Sequence, residues 1–363
     1  MKVSIVHGFV GGGGGTERTL NAILEALIEH KFNIELYTVS KPSIEIDHSV
    51  KVHRLLPFKL PFFALYQRYL ESKLSKKTNS NLVLHTSGGF AVPENNKQII
   101  IYCHHDFKNE VNKSGTKYKG IWSWYYRPYY LLMRKFLNNI KNENIHLISN
   151  SKFVCESIKK QFGKNSTIIY PPVDLNEFHI DNNKNRNMIT VSRFSTEKNL
   201  EFAIKTTTDI DANYVIIGNT KTRANEIYFE RLKMKCQQSS ANIVLLKNVE
   251  RSQVIRYINQ SKVYFHTSPE TFGISVVESI AGGCIPIVPD NTGHQETVPF
   301  PELRYDPNNP SQAREKIEKA LAGEFDYLSK QLLNHIKNFS KEKFKISLIQ
   351  YLEKLRPKEV LRI

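Results

Sequence analysis

The sequence contains few cysteines and no long apolar run. Its four cysteines stand far apart and form no Cys-x-x-Cys pair, which excludes a disulfide framework and a typical zinc site. No stretch approaches the roughly 18 apolar residues of a membrane-spanning helix, so none is expected. Acidic residues are also scarce, because 35 Asp and Glu stand against 51 Lys and Arg, a formal net charge of +16. This surplus favours an anionic partner, whether nucleic acid, lipid headgroups or a phosphorylated substrate.

Short runs rich in β-branched residues alternate with helix-like runs along the whole chain. The strand-like runs are KVSIV, NIELYTV, VKVHRL, NLVLHT, QIIIYC, IHLIS and TIIY, followed by NMITVS, NYVIIG, NIVLL, KVYFHTS and CIPIVP. Such runs are typical of buried parallel strands with helices on both faces of the sheet. The pattern therefore predicts an α/β protein. The DNNKNRN run between the two sets of strands is expected to be a polar loop.

The length of 363 residues suggests two domains. Pro171 and Pro172, in the stretch IIYPPVD, end a strand and stiffen the chain. We therefore expect one doubly wound domain over residues 1–172 and a second over residues 173–340, followed by a C-terminal helix within 341–363. Two such domains bind ligands in a cleft between the carboxyl ends of their sheets.

Five consecutive glycines, Gly11–Gly15, separate the first strand from the first helix. Backbone N–H groups and the positive end of a helix make such a loop suitable for a phosphate. A dinucleotide fingerprint is disfavoured, because its final glycine or alanine would fall on Thr16. A purely structural turn stays open as an alternative. Thr16 is expected to cap the helix, with Glu17 in its first turn.

Two stretches of the second half combine charges with a helix start. In VSRFSTEKN, Arg193 and Lys198 can clamp a diphosphate from two sides, although for this piece alone a solvated helix start is the better explanation. In ETFGISVVE, Gly273 near a helix start separates Glu270 from Glu278. One carboxylate can face a sugar while the other binds a ribose diol. The following AGGCIPIV predicts a helix end at its glycines and then a strand.

Together these stretches resemble the retaining glycosyltransferases of family 4. The matching pieces are GGTER, RFSTEKN, ETFGISVVE and AGGCIPIV, which span nearly the whole chain. Within that family, GGGGGTER, YCHHDF, SNSKF and IIYPPVD resemble the mannosyltransferases that act on lipid-linked oligosaccharides, among them the dolichol-pathway α-1,2-mannosyltransferases. The resemblance implies a GT-B fold, in which two doubly wound Rossmann-like domains face each other across a cleft and the C-terminal helix crosses back to the first domain.

The resemblance also implies a donor site for a nucleotide-diphosphate sugar, with no metal or other cofactor. Arg193 and Lys198 would hold the diphosphate, Glu278 the ribose and Glu270 the donor sugar. The implied donor-binding residues are Gly14, Gly15, Arg193, Lys198, Glu270, Phe272, Gly273, Ile274 and Glu278. The implied catalytic residues are His104, Glu270, Arg193 and Lys198. The DID stretch at residues 209–211 is interpreted as a solvated turn rather than a metal site.

The stretch YCHHDF has several interpretations. His104 corresponds to the histidine that contacts the donor sugar in this subgroup, whereas His105 and Asp106 depart from the usual small residue and proline. A structural histidine pair is one alternative, and a His–Asp general base, as in inverting transferases, is another. In retaining members the leaving phosphate is thought to take the acceptor proton, so a base role for His104 is not assigned. His105 is placed on the acceptor side.

Residues 117–136 combine both tryptophans of the chain with tyrosines and basic residues. Aromatic and basic side chains together suit an anionic lipid surface, so Trp122, Trp124 and Arg127 are predicted to contact acceptor or membrane. Packing against the first sheet and a nucleic-acid platform are the alternatives. We expect a protein that is peripheral on the cytoplasmic face of a membrane and binds no nucleic acid.

The sequence therefore predicts an enzyme that moves a hexose to a lipid-linked glycan with retention of the α linkage. Mannose from GDP-mannose is the preferred donor, and a UDP-sugar is a possible one. A nucleotide-sugar epimerase or hydrolase on the same fold is the main alternative. A catalytically inactive binding protein and a basic nucleic-acid-binding protein are weaker alternatives.

Overall fold

The computed structural model describes residues 1–11, 14–58, 64–87, 97–107, 124, 127, 131, 135–181 and 184–355. The chain divides into two compact units. The first comprises Met1–Pro172 and the segment from Glu342 onward, and the second comprises Val173–Lys341. Each unit contains one fully parallel sheet, so the predicted α/β class with two parallel sheets is confirmed.

The first unit has a seven-stranded sheet in the order β3-β2-β1-β4-β5-β6-β7. Its strands are β1 (Lys2–Val6), β2 (Asn33–Thr38), β3 (Lys51–Arg54), β4 (Leu82–His85), β5 (Gln98–Cys103), β6 (Ile145–Ser149) and β7 (Thr167–Ile168). The helices described before the second unit are α1 (Gly15–Glu29), α2 (Ala64–Lys76) and α3 (Lys152–Phe162). The strand order reverses between β1 and β4, and the carboxyl ends at such a switch point are the usual place for a ligand.

The start of α1 differs from the prediction. Thr16 lies inside the helix, and Gly14 is the N-cap residue. Glu17 takes over the capping, because its carboxylate accepts hydrogen bonds from the backbone N–H groups of Gly11 (2.6 Å) and Gly14 (3.2 Å). A glutamate at the third helical position can reach back in this way and satisfy N–H groups that the first turn leaves unpaired.

The second unit has a six-stranded sheet in the order β10-β9-β8-β11-β12-β13. Its strands are β8 (Asn185–Val191), β9 (Asn213–Gly218), β10 (Asn242–Lys247), β11 (Ser261–Phe265), β12 (Ile285–Pro289) and β13 (Arg304–Tyr305). Its helices are α4 (Leu200–Thr206), α5 (Arg223–Gln237), α6 (Arg251–Gln260), α7 (Ile274–Ala281), α8 (His294–Thr297), α9 (Pro310–Ala322) and α10 (Ser329–Ile336). The switch point lies between β8 and β11.

Two details of this unit were not predicted. The strand β8 begins at Asn185, inside the DNNKNRN run that was expected to be entirely a loop, because this part of the run pairs with the neighbouring strands β9 and β11. The two-residue strand β13 carries too short an apolar run to be found from the sequence, and it pairs with the end of β12.

The C-terminal helix α11 (Lys341–Lys354) completes the apolar core of the first unit. Phe344, Leu348 and Leu352 belong to the same buried cluster as Leu20 of α1. Lys345 adds an ion pair with Glu29, at 2.5 Å between Nζ and Oε1. This packing explains why the end of the chain belongs to the first unit rather than to the second.

Candidate functional site

The loop that follows β8 carries Arg193 and Lys198, the two residues predicted to bind the diphosphate. Their side chains have different surroundings. Lys198 lies on a short 3-10 turn, Thr196–Lys198, and its ammonium group contacts the Glu270 carboxylate. Arg193 instead pairs with Glu197, at 3.4 Å, and its side chain is 59% exposed. The structure therefore brings Lys198 and Glu270 together and leaves Arg193 at the surface of the same loop.

Glu270 lies at the carboxyl edge of the second sheet, in the loop between β11 and α7. His266 is buried just after β11, and its Nε2 lies 3.4 Å from Glu270 Oε1, the oxygen that also contacts Lys198. Burial alone would raise the pKa of the Glu270 carboxyl, but the hydrogen bond with His266 and the charge of Lys198 hold that pKa well below its usual range. Glu270 is therefore an ionised carboxylate, with 26% of its side chain still exposed.

The start of α7 requires a glycine. Gly273 is the N-cap residue and has φ +91°, a left-handed conformation that other residues adopt only with strain. Phe272 before it is buried, with its ring edge-on to Phe339 at 5.1 Å between centroids, and Ile274 is the first helical residue. The N-terminus of α7 thus presents its positive end a few residues after Glu270.

Glu278, predicted to bind a ribose, lies within α7 and is only 3% exposed. Its Oε1 accepts a hydrogen bond of 2.7 Å from Arg251, at the start of α6. The same guanidinium bonds Glu177 through Nε (3.1 Å) and Nη2 (2.5 Å). Burial would lower the pKa of Arg251, but the two carboxylates raise it, so the group stays charged. Arg251 was not predicted as a site residue, because its NVERSQ context carries no distinctive motif.

His294, at the first position of α8, was also missed. It is fully buried, and its Nε2 donates a hydrogen bond of 2.9 Å to the carbonyl oxygen of Ser268. Its ring meets that of His266 edge-on, at 4.9 Å between centroids. Burial and the neighbouring His266 lower the pKa of His294 to about 3. Two histidines and a carboxylate therefore lie together beside the start of α7.

At the carboxyl edge of the first sheet, His104 follows β5 and is buried. Its Nε2 lies 2.8 Å from the carbonyl oxygen of Thr86, and its ring packs against Tyr102 at 4.8 Å between centroids. Burial and the nearby His105 lower the pKa of His104 to about 3. Asp106 accepts hydrogen bonds of 2.6 Å from two side chains of α3. A histidine that is so difficult to protonate is a poor general base near neutral pH.

His7, directly after β1, is a further residue of this edge that was not predicted from the sequence. Its Nδ1 lies 2.8 Å from the hydroxyl oxygen of Thr86, so Thr86 contacts His7 through its side chain and His104 through its backbone. Burial lowers the pKa of His7 to about 4. The two histidines thus flank the strand β4 at the switch point of the first sheet, a position that only the strand order reveals.

The glycines of the loop differ in whether their position requires a glycine. Gly11 has φ +135°, and a Cβ there would lie 2.4 Å from that of Ser43, so only glycine fits. Gly14 has an extended conformation with open space around it, and its N–H group donates to Glu17. Gly15 is the first residue of α1. The carboxylate of Glu17 therefore already occupies two of the N–H groups that a phosphate was expected to use.

Of the residues predicted to contact acceptor or membrane, His105, Trp124 and Arg127 are described, and Trp122 lies outside the described residues. Trp124 is 73% exposed, and the guanidinium of Arg127 lies over its ring, 5.7 Å from the centroid. Leu131 is 59% exposed. His105 is exposed beside the buried His104. In the part of the chain that the structure describes, no helix has the length and apolar character needed to cross a membrane.

Comparison with known proteins defines the class. Residues 13–177 match the family described as Glycosyltransferase Family 4, and residues 174–343 match the family described as Glycosyl transferases group 1. The two matches meet at the boundary between the two sheets and together cover nearly the whole chain. The chain belongs to the glycosyltransferases that combine these two domains, so the predicted family resemblance is confirmed.

Two curated relatives are mannosyltransferases. Over 279 residues, the chain is 23% identical to the GDP-Man:Man(3)GlcNAc(2)-PP-Dol alpha-1,2-mannosyltransferase of Dictyostelium discoideum, a match that covers 69% of this chain. That match spans only 55% of the length of the Dictyostelium protein. The Alpha-1,3/1,6-mannosyltransferase ALG2 of Candida glabrata is 25% identical over 82% of this chain and 78% of its own length.

Solved glycosyltransferase structures share the fold. A glycosyltransferase from Rickettsia africae superposes with a TM-score of 0.72, at 13% identity over 99% of both chains. Anabaena HepE in complex with UDP-glucose has a TM-score of 0.71, at 13% identity over 98% of this chain and 100% of its own. WaaG, a glycosyltransferase involved in lipopolysaccharide biosynthesis, has a TM-score of 0.71 at 14% identity, over 99% of this chain and 100% of its own. The protein therefore has the GT-B fold, as predicted.

Proposed function

We propose that the protein is a retaining hexosyltransferase that transfers a hexose from a nucleotide-diphosphate sugar to a lipid-linked glycan. The observation that carries the proposal is the contact between Lys198 and an ionised Glu270 beside the start of α7. Mannose from GDP-mannose is the preferred donor, supported by the name of the Dictyostelium relative. A UDP-sugar is the alternative, supported by the HepE complex.

The charges of this site suit departure of a nucleoside diphosphate. As the bond to the sugar breaks, negative charge develops on the diphosphate, which the Lys198 ammonium group and the positive end of α7 would stabilise. Arg193, exposed on the same loop, can turn towards that diphosphate because its partner Glu197 is also largely exposed. Positive groups of the chain would thus supply what a metal ion supplies in other transferases, so no cofactor is proposed.

The remaining predicted residues keep their proposed roles. Glu270 would accept hydrogen bonds from hydroxyl groups of the sugar, and Glu278 would bind the ribose, with Arg251 holding its carboxylate in place. His105, exposed beside His104, is proposed to face the acceptor. The further donor contacts are proposed to come from the backbone of Gly14, Gly15, Phe272, Gly273 and Ile274.

The lowered pKa of His104 and the contact of its Nε2 with Thr86 support the retaining stereochemistry. An inverting transferase needs a base that removes the acceptor proton. The pKa of His104 is lowered to about 3, and its Nε2 is engaged by Thr86, so it does not suit that task. We propose instead that the leaving diphosphate takes the proton and that His104 positions the donor sugar. Nuclear magnetic resonance of the product tests this, and a product with inverted anomeric configuration would contradict it.

Ligand-dependent thermal unfolding tests the donor site. We expect one nucleotide sugar among GDP-mannose, UDP-glucose, UDP-N-acetylglucosamine and ADP-glucose to stabilise the protein, by about 2.7 kcal/mol at a hundred times its dissociation constant. Lys198→Met should abolish most of this stabilisation. The exposed Lys205→Met on α4 is the matched control, because it removes the same charge away from the loop. Stabilisation that is equal in both variants would refute the assigned role of Lys198.

The acceptor requirement separates a transferase from its main alternative. A nucleotide-sugar epimerase or hydrolase consumes or converts the sugar nucleotide without any acceptor. We expect the diphosphate to be released only slowly until a lipid-linked glycan is added. Equal rates of release with and without the acceptor would favour the hydrolase, and conversion of the nucleotide sugar into its epimer without net release of diphosphate would favour the epimerase.

We also propose that the protein docks peripherally on the cytoplasmic face of a membrane. Trp124, Arg127, Leu131 and Lys135 are exposed, and the guanidinium of Arg127 lies over the ring of Trp124; we propose these four side chains as the docking face. A face with aromatic, apolar and basic side chains suits an anionic lipid surface, where each basic residue contributes about 1 kcal/mol. Sedimentation with anionic liposomes at low salt should detect binding.

A paired substitution locates the membrane contact. Trp124→Ser should weaken liposome binding several-fold, because it removes the largest exposed apolar side chain of this face. Tyr327→Ser is the matched control, since Tyr327 is a similarly exposed aromatic residue of the second unit. If both variants bind liposomes as the unsubstituted protein does, the docking face is wrongly assigned.

A further inference from the structure

The sheet of the second unit ends in an edge strand that lacks the usual protection. The strand β10 is the outermost of the sheet, and among the described residues it pairs only with β9. None of its residues is buried, and Val244 near its centre is 47% exposed. Edge strands that stay free in solution usually carry charges, a proline or a bulge. The only charged residue of β10 is Lys247, at its end, so the middle of this edge is suited to pairing with another strand.

The helix α5 lies beside this edge, and its contacts distinguish its two flanks. Arg231 and Lys235 pair with Glu201 of α4, at 3.8 and 3.4 Å, so the flank that carries them is turned towards the interior of the unit. On the other flank, Glu226 contacts Lys247 at the end of β10. This second flank therefore runs along the open edge of the sheet.

The flank of α5 at the sheet edge has an acidic half and a half that is basic and polar. From Glu226, helical spacing continues it through Glu230, Lys233 and Gln237, and these three are exposed. Glu226 is already paired with Lys247. Glu230 and Lys233, by contrast, have no ion-pair partner among the residues that the structure describes. Two opposite charges on one flank are thus available to a partner.

This order of charges makes the flank complementary to itself. A two-fold axis that passes between residues 231 and 232 turns α5 into an antiparallel neighbour. It places Glu230 opposite Lys233 of a second copy, and Lys233 opposite Glu230 of that copy. Glu226 then faces Gln237, so no like charges of this flank are brought together. A surface that contacts its own copy through a two-fold axis must be self-complementary in this way.

The same axis passes through the middle of β10. Along the helix, residues 231 and 232 lie about 8 Å from Glu226. Along the strand, Val244 and Leu245 lie about 8 Å from Lys247, the residue that Glu226 contacts. The helix and the strand run in opposite directions, so both distances are measured towards the same end of the unit. One axis can therefore relate both elements to their copies.

Apolar side chains lie on both sides of the edge. Lys247 contacts α5, and successive side chains of a strand alternate between its faces, so Val244 lies on the face away from α5. An antiparallel second β10 would cover Val244 with its own copy. On α5, Ile227 and Met234 are 56% and 57% exposed and lie beside Glu230, at i−3 and i+4 from it. They add apolar area next to the charged flank.

We infer that the protein forms a homodimer through this edge of the second unit. The two copies of β10 pair antiparallel, which joins both six-stranded sheets into one, and the two α5 helices pack about the same axis. The partner is a second copy rather than a different protein, because the charge order of α5 and the centre of β10 fit a single two-fold axis. The inference is independent of the reaction that the protein catalyses.

Reversal of the two unpaired charges tests the interface. We expect Glu230→Lys and Lys233→Glu each to weaken dimerisation about tenfold in sedimentation equilibrium, because each creates two like-charged pairs across the axis. Lys233→Glu lowers the net positive charge of the chain, so general repulsion cannot explain its weaker association. The double variant should dimerise as the unsubstituted protein does. Glu324→Lys, at an exposed position outside α5 and β10, is the matched control for Glu230→Lys and should leave dimerisation unchanged.

Substitution of Val244 tests the strand edge. Val244→Lys should give a monomer at concentrations where the unsubstituted protein is a dimer, because a lysine on an edge strand opposes pairing. Val244→Ile is the control and should stay dimeric. Thermal unfolding checks that both variants fold, as the exposure of Val244 leads us to expect.

Three outcomes would overturn the inference. If the unsubstituted protein is a monomer at every concentration, the edge is covered by another chain or by none. If a dimer forms but responds neither to Val244→Lys nor to the single charge reversals, it uses a different surface. If the double charge variant associates as weakly as the single ones, Glu230 and Lys233 do not face each other across an axis.

Discussion

Acidification should destabilise the first unit strongly, because it contains three buried histidines. Burial is the main cause that lowers the pKa of His7 and His85 to about 4 and that of His104 to about 3. In the unfolded chain these groups titrate near 6.5. Since the folded pKa lies below the unfolded one, the unfolded chain binds more protons between about pH 4 and 6.5. Stability is therefore fully present above this window and is lost as the pH falls through it.

The magnitude follows from the width of the window. One pKa unit corresponds to about 1.4 kcal/mol, so lowering the pH from 6.5 to 5 costs about 2 kcal/mol for each buried histidine. Three independent histidines would cost about 6 kcal/mol, which is comparable with the whole stability of many domains. We expect the first unit to be close to unfolding at pH 5 while the protein is stable at pH 7.

His85 is the best position at which to test this reasoning. It lies in β4 and makes a hydrogen bond of 3.2 Å with Ser75 through Nε2, a contact that the amide of His85→Gln can imitate. Urea unfolding of His85→Gln at pH 7 and pH 5 should show about 2 kcal/mol less acid destabilisation than the unsubstituted protein. The exposed His48→Gln is the matched control. If both variants keep the pH dependence of the unsubstituted protein, the reasoning is refuted.

Four further substitutions test the local geometry. Gly273→Ala introduces a Cβ at φ +91° and 3.3 Å from an imidazole, so thermal unfolding should show a loss of about 1–2 kcal/mol and calorimetry a weaker donor. Gly163→Ala, at φ +65° with open space around it, should affect stability only; loss of donor binding there would contradict the argument. Glu17→Ala removes the acceptor of two N–H groups and should cost about 1 kcal/mol in urea unfolding, whereas an unchanged midpoint would count against this cap. Arg251→Met removes the guanidinium from the buried Glu278 and should lower the free energy of unfolding by about 2 kcal/mol. Adding Glu278→Gln should recover part of this loss, because the uncompensated charge is then removed. Strictly additive losses in the two single variants and the double variant would disprove the coupling.

Most of the sheet could be predicted from the sequence, because the signal is local. Each of the runs from KVSIV to CIPIVP coincides with a strand, since a buried parallel strand needs continuous apolar residues and little else. The exceptions have local reasons too. The strand β13 is only two residues long. The strand β8 extends into a polar run, because hydrogen bonds to β9 and β11 are made by the backbone and do not require apolar side chains. The prediction of Thr16 as the N-cap was wrong, because Glu17 caps the helix instead. Whether its carboxylate can reach back to Gly11 depends on the backbone conformation of the glycine turn, which the residue types alone do not show.

The sequence by itself determined the class of this protein, its two parallel sheets and the residue types of its donor site. Glycines, charges and apolar runs express these features within a few neighbouring positions. Only the tertiary structure decided the partners: Lys198 with Glu270, Glu278 with Arg251, and His294 beside Gly273. Lys198, Glu270 and His294 follow β8, β11 and β12, which are neighbours in the sheet, and Arg251 meets Glu278 where α6 packs against α7. Strand order arises from the packing of the whole unit, so no local pattern records which loops share an edge.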